Sequence, residues 1–146
     1  MLEPRDENDG EAPPGAAETV DFGLALVVGS SPITRVVVSR IAERAGLRTV
    51  CRTSGEVQPV VAGRLPAIAI LDGGADGRDC DRLAQQLAAM RRPAGRAQAP
   101  LIILLANHMP AAGRPRDGIV DVVLAKPITP DRLQPIIRDM MDRLRG

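Results

Sequence analysis

The stretch Ala67-Ile68-Ala69-Ile70-Leu71-Asp72, followed by Gly73-Gly74, decides the fold class of this chain. Five apolar residues in a row, bounded by turn-forming residues, predict a strand that is buried on both faces. Such strands belong to parallel sheets covered by helices, and open parallel sheets carry their functional groups at the carboxyl ends of the strands. Asp72 stands at such an end and is therefore the first candidate site residue. Alternatively, its carboxylate only stabilises the turn that follows.

Further apolar runs and helical patterns alternate along the rest of the chain. The other predicted strands are Leu24–Val28, Arg48–Cys51, Leu101–Leu105 and Val120–Ala125. Helices are predicted from Pro32 to the stop at Gly46, over Ser54–Ala62, over Asp79–Met90 and over Pro130–Leu144. This alternation predicts an α/β protein of the flavodoxin-like kind, a doubly wound parallel sheet of five strands.

Two of the predicted helices differ in how clearly their inner face can be drawn. The last helix places an unbroken apolar stripe at helical spacing, and the first is expected to face the core with Ile33, Val36, Val37, Ile41 and Ala45. Between His108 and Gly118 no helical face can be drawn, because two prolines and two glycines interrupt it. A fourth helix of this fold is therefore expected to be irregular or degenerate.

Composition limits the functions that the chain can serve. A net charge of +1 and an aromatic content of one Phe, without Tyr or Trp, argue against nucleic-acid and membrane partners. The two cysteines, Cys51 and Cys80, lack metal-ligand spacing and are expected to be buried thiols in a reducing compartment. With no signal peptide, we expect a cytoplasmic protein. Residues 1–20 are expected to form a disordered acidic tail, and residues 21–146 one domain.

The segment from Leu24 to Leu144 resembles the receiver domain of two-component response regulators. The resemblance is carried by Leu71-Asp72, by Lys126-Pro127 and by Ala45-Gly46-Leu47. It implies that Asp72 is the phospho-acceptor and that Lys126 contacts the phosphorylated aspartate, with a cis bond to Pro127. Independently, Lys126 is the only lysine among 19 Lys and Arg residues, which suggests a task that a guanidinium cannot perform. A simple ion pair with Asp72 is the alternative.

The departures from that family bear on mechanism. Gly29 and Ser30 stand where receivers carry two acids that hold Mg²⁺, and neither offers a carboxylate. Leu105 replaces the hydroxyl residue that ends the fourth strand of the family. Val123 replaces the aromatic switch residue of the fifth strand. The acceptor and the lysine are thus retained, whereas the metal site, the hydroxyl and the switch are degenerate.

Three functions follow from this pattern. The first is an atypical, non-enzymatic, stand-alone receiver in two-component signalling. It would bind no cofactor, show impaired Mg²⁺-dependent phosphorylation, and act through contacts with a histidine kinase, an effector or a second copy of itself. The second is a working receiver, phosphorylated on Asp72 by a histidine kinase with Mg²⁺ as cofactor. The third is a small nucleotide- or phosphate-binding protein that uses Gly29–Ser31 at a helix N-terminus.

Overall fold

The computed structural model describes residues 19–53, 63–75, 77–107 and 118–146. Within these ranges the chain forms seven strands and three helices. In chain order they are β1 (Thr19–Val28), α1 (Pro32–Arg44), β2 (Arg48–Arg52), β3 (Arg64–Asp72), α2 (Asp81–Ala89), β4 (Arg92–Ala94), β5 (Ala97–Ala99), β6 (Leu101–Ala106), β7 (Val122–Ala125) and α3 (Pro130–Arg145).

Five of the strands form one parallel sheet in the order β2-β1-β3-β6-β7. The strand predicted to end at Asp72 is β3, which lies at the centre of the sheet and is buried from Leu65 to Asp72. Its burial on both faces explains why it is a continuous apolar run rather than an alternating one. The prediction of a flavodoxin-like, doubly wound five-stranded sheet is confirmed.

The two faces of the sheet carry separate layers of core. On one face, Ile68 and Ile70 of β3 pack with residues of α1 and α3. On the other face, Ala69 and Leu71 pack with residues of α2. Because successive side chains of a strand point to opposite faces, Asp72 continues the side of the sheet that α1 and α3 cover.

The first strand begins earlier than predicted. β1 starts at Thr19 and pairs there with Arg64, so Thr19 and Val20 belong to the sheet rather than to the tail. The early start of the strand could not be predicted, because Asp21 and Gly23 interrupt the apolar pattern. Asp21 is accommodated through its ion pairs with Arg48 and Arg64. The rest of the predicted tail lies outside the described residues.

The predicted inner face of α1 is wrong in part. Ile33, Val36 and Val37 are exposed, and the buried residues of the helix are Val38, Ser39, Ile41 and Ala42. Three consecutive valines at 36–38 cover more than half of the helix circumference, so apolar spacing alone could not fix the rotation of the helix. The small side chains of Ser39 and Ala42 allow the helix to lie close to the sheet.

A short antiparallel hairpin, β4–β5, was not predicted. It follows α2, and its turn contacts the end of α3, where the Arg96 N–H donates to the Arg143 carbonyl over 2.7 Å. Gly95 has a positive φ of 59°, and a Cβ there would lie 2.5 Å from the Leu144 carbonyl oxygen. Only glycine fits this turn, whose three-residue strands are too short to show a period in the sequence.

The other predicted elements have mixed outcomes. The third predicted helix is confirmed as α2, with Leu83, Ala84 and Leu87 buried, and the last is confirmed as α3. The helix predicted over Ser54–Ala62 lies outside the described residues, and so does nearly all of the segment expected to hold the degenerate fourth helix. None of the three described helices is long and apolar enough to cross a membrane.

Candidate functional site

The carboxyl ends of the strands bring most of the predicted site positions together. Asp72, the last residue of β3, pairs with Leu105 on β6, and its backbone lies beside Gly29 because Val28 pairs with Leu71. Lys126 directly follows β7. Asp72 is only 5% exposed, so its carboxylate lies almost entirely in the protein interior.

The Asp72 carboxylate has two donors on the same oxygen. Lys126 Nζ lies 2.9 Å from Oδ1, and the backbone N–H of Gly74 donates to that oxygen over the same distance. The Lys126 side chain is 28% exposed and is fixed at its base, since its backbone N–H donates to the Ala106 carbonyl. The peptide bond to Pro127 is cis. The geometry is that of a partly buried ion pair, reinforced by a charge-assisted hydrogen bond.

Gly29 has a steric role that the sequence did not reveal. A Cβ built at this position would lie 2.8 Å from Cβ of Asp72 and 3.4 Å from its Oδ2. The Asp72 side chain therefore occupies the space that a side chain at position 29 would need. In this conformation, Gly29 is required for the close approach of the two strand ends.

Replacing Gly29 by alanine is expected to destabilise the fold by about 1–3 kcal/mol, the usual cost of overpacking a core. The matched control is Gly23→Ala within β1, the strand that precedes Gly29, where the nearest heavy atom would be 3.4 Å from the new Cβ. We expect that control to change stability by less than about 0.5 kcal/mol. Urea unfolding measures both. Equal effects of the two variants would show that Asp72 does not occupy the space beside Gly29.

The loop after β1 makes several hydrogen bonds within the protein. The Gly29 N–H donates to the Arg52 carbonyl, and the Gly29 carbonyl accepts from the Arg35 guanidinium. The Ser31 hydroxyl caps α1 by accepting from the Thr34 N–H over 3.2 Å. Ser30 is exposed. The Gly29 N–H, the Gly29 carbonyl and the Ser31 hydroxyl are therefore already engaged within the protein.

The last two predicted positions offer no polar chemistry. Leu105 is 1% exposed and packs in the layer that α1 and α3 cover. Val123 is half-buried and packs against the opposite layer. Neither side chain can donate to a phosphoryl oxygen or report on its presence through an aromatic ring.

The receiver resemblance implies Mg²⁺, and the residues present do not fit it. A magnesium site draws on carboxylate and carbonyl oxygens in near-octahedral array. Across the described ranges, no three His, Cys, Asp or Glu residues are grouped so that they could hold a metal ion. At the strand ends, Asp72 is the carboxylate in place, one of its oxygens already faces Lys126, and the space at Gly29 is filled.

Two residues near Asp72 were missed by the sequence analysis. Arg35 reaches back to Gly29 from the first turn of α1, a contact that its spacing from the helix start could have suggested. Cys80 donates from Sγ to the Asp72 carbonyl over 3.3 Å, which depends on how the loop after β3 folds. Burial, with a smaller effect of the Asp72 charge, raises the pKa of the Cys80 thiol to about 12. The thiol therefore stays protonated and acts as a donor, not as a nucleophile.

Comparison with known proteins supports the fold. A receiver-domain protein of Methanospirillum hungatei matches with a TM-score of 0.59 and 17% identity, over 84% of this chain and 95% of that one. One from Burkholderia phymatum matches with a TM-score of 0.58 and 17% identity, over 82% and 94%. A protein of Burkholderia pseudomallei described as pilus assembly-related matches with a TM-score of 0.60 and 14% identity, over 88% and 98%.

No protein-family model and no curated protein matches the sequence. At identities this low, the similar structures establish the fold and not the activity. The chain therefore has the fold of response-regulator receiver domains, as its motifs predicted.

Proposed function

We propose that this chain is an atypical receiver domain in two-component signalling, which acts through protein contacts rather than through Mg²⁺-dependent phosphorylation of Asp72. One observation carries the proposal. The Asp72 carboxylate is buried, is paired with Lys126 at 2.9 Å, and fills the space beside Gly29 where an acidic side chain would have to stand. Asp72 is thus held as a structural anion.

The energetic argument concerns the transition state of phosphoryl transfer. Charge stabilisation by a metal ion accounts for several kcal/mol in reactions of this kind. Lys126 alone supplies one positive charge, and Leu105 supplies no hydroxyl. A chain with these residues lacks most of what accelerates phosphorylation, and contacts with partners are the role that we propose for it. Its partners would be a histidine kinase or a downstream effector.

Two further considerations favour a role in protein contacts. The similar protein from Burkholderia pseudomallei is described as related to pilus assembly and not as an enzyme, so this fold also occurs in a protein of that kind. The nucleotide-binding alternative is weakened because Gly29 and Ser31 already make intramolecular hydrogen bonds. A thermal shift with added nucleotide would revive that alternative.

Addition of about 10 mM Mg²⁺ is expected to leave the melting temperature unchanged. A site with a Kd of about 0.1 mM would instead stabilise the fold by about 2.7 kcal/mol at that concentration. Differential scanning fluorimetry measures the shift. Incubation with acetyl phosphate and Mg²⁺, followed by intact mass spectrometry, is expected to show no phosphorylated protein.

Ser30→Asp supplies a carboxylate next to Gly29 without the collision that a side chain at position 29 would cause. We expect this variant to gain stability with increasing Mg²⁺, while the neutral control Ser30→Asn does not. Phosphorylation of the unaltered chain by acetyl phosphate, lost in Asp72→Asn, would refute the proposal and favour a working phospho-acceptor.

A further inference from the structure

The outward face of α1 combines apolar and cationic residues in one line, here named the α1 stripe. It consists of Ile33, Val36, Val37, Arg40 and Arg44, whose spacings of three, four and seven residues place them on one side of the helix. The first three are 77%, 54% and 37% exposed, and both arginines are exposed. Contiguous exposed apolar residues of this kind mark a surface that another segment covers.

The stripe borders a groove that could receive an extended chain. Val36 and Arg40 line a groove of about 380 Å³ between α1 and the sheet-edge strand β2. Ser39, Thr49 and Cys51 also line it. The groove therefore presents apolar, cationic and hydroxyl groups, together with the Glu43 carboxylate, to whatever lies along α1.

The charge of this region favours a negatively charged occupant. Together, α1 and β2 contain five arginines and one acid, Glu43. Just beside them, Arg48 donates to the Asp21 carboxylate over 2.6 Å, and this hydrogen bond lowers the pKa of Asp21. Carboxylates are thus stabilised at the end of the sheet where α1 ends and β1 begins.

An acidic segment of the same chain joins the fold at that end. Residues 1–18 contain six acidic residues and one arginine. They connect to Thr19, the first residue of β1, whereas Asp72 lies at the opposite end of the sheet. Eighteen residues can span roughly 60 Å when extended, and the 13 residues of α1 measure about 20 Å. The segment can therefore run along the whole helix.

We propose that residues 1–18 dock on the α1 stripe of their own chain. Their carboxylates lie on Arg40 and Arg44, near the point of attachment, and Met1 and Leu2 cover the apolar half of the stripe at its far end. Such docking needs no helix or strand in the segment, and it is independent of the function proposed above.

A second copy of the chain fits the stripe less well. If the α1 helices of two copies packed about a two-fold axis, the arginines of one stripe would face either the apolar residues or the arginines of the other stripe. Glu43 alone would compensate them, and its carboxylate already accepts from the Thr49 hydroxyl. The acidic segment offers the complementary charge that a second stripe lacks.

The test places a spin label in the segment of the full chain through Ala12→Cys, in a Cys51→Ser background. Cys80 is buried and its thiol stays protonated, so it does not react with the label. We expect the methyl NMR signals of Ile33, Val36 and Val37 to weaken, while that of Ile119 on the opposite face of the sheet does not. The weakening should vanish in about 1 M NaCl, where the Debye length is about 3 Å.

Charge variants separate docking from chance proximity. Arg40→Glu with Arg44→Glu should abolish the weakening, and the same charge change on α3, Arg138→Glu with Arg145→Glu, should preserve it. A mixture of spin-labelled chains without isotope and isotope-labelled chains without spin label reports contacts between copies. The proposal is overturned if the methyl signals stay intact at low salt, if they weaken equally in the Arg40/Arg44 variant, or if they weaken in the mixture.

Discussion

Replacing Lys126 by methionine is expected to lower the free energy of unfolding by about 3 kcal/mol at neutral pH. The substitution removes the cation of a partly buried ion pair and leaves the Asp72 carboxylate, 5% exposed, without its partner. Breaking a buried pair from one side costs about 3–5 kcal/mol, because the remaining charge stays desolvated. We take the lower end of this range because Gly74 still donates to the carboxylate. Urea unfolding monitored by circular dichroism measures the loss.

The loss of stability caused by the unpaired charge has to be separated from the loss caused by removing the packing of the Lys126 side chain. The double variant Asp72→Asn with Lys126→Met removes both charges, and we expect it to recover much of the stability lost in Lys126→Met alone. An exposed control, Arg138→Met, should change stability by less than about 0.5 kcal/mol. If the double variant is no more stable than Lys126→Met, the carboxylate is not paired as described, and the structural role proposed for Asp72 fails.

The sequence predicted those strands and helices whose apolar pattern is compatible with only one orientation toward the core. β3 is an unbroken apolar run with two buried faces, and α3 has an apolar stripe that fits one rotation only, so both could be placed. In α1, three consecutive valines permit several rotations, and the choice depends on Ser39 and Ala42 fitting against the sheet. That choice is a tertiary effect, which no local pattern contains.

The candidate site shows the same division. The meeting of Asp72 and Lys126 was predicted through the resemblance to receiver domains, and it agrees with the position of both residues at the carboxyl ends of parallel strands, which share one edge of the sheet. The steric role of Gly29 could not be predicted, because it depends on the rotamer of Asp72. From the sequence, Gly29 is a missing acid; in the structure, it is a position where a side chain does not fit.

A network of hydrogen bonds around Arg91 could not be predicted from the sequence, because the residues that form it are far apart along the chain. Arg91 lies just after the end of α2. In the structure its guanidinium donates to three carbonyls and to Asp121 Oδ2, the last over 2.7 Å. Asp121 in turn accepts from the Ile102 N–H over 2.8 Å. The carbonyl acceptors are those of Pro100, Gly118 and Ile119.

These contacts fasten the chain before β7 to the start of β6. The Asp121 N–H also donates to the Ile102 carbonyl, so the two strands are tied at their beginning as well as by their ladder. The side chains of Arg91 and Asp121 are 14% and 21% exposed, which limits screening by solvent. β7 leads directly to Lys126, and the network therefore supports the element that positions the lysine beside Asp72.

Arg91→Met is accordingly expected to destabilise the fold by about 2–4 kcal/mol, because it removes the cationic partner of Asp121 and the donor to the two partly buried carbonyls of Pro100 and Ile119. Arg91→Lys should recover only part of this, since a single ammonium cannot reach acceptors that a planar guanidinium serves together. The exposed Arg82→Met on α2 is the matched control. Urea unfolding gives the three values, and amide hydrogen exchange at Ile102 and Asp121 locates the effect.

The exchange measurement distinguishes a local from a global origin of that loss. If the network fastens β7, exchange at Ile102 and Asp121 should accelerate in Arg91→Met more than exchange within β1, on the far side of β3. Asp121→Asn should produce the same local pattern, and the Arg91→Met/Asp121→Asn double variant should cost less than the sum of the single variants. A loss below about 1 kcal/mol in Arg91→Met, similar to Arg82→Met, would place these contacts among surface ion pairs of little consequence.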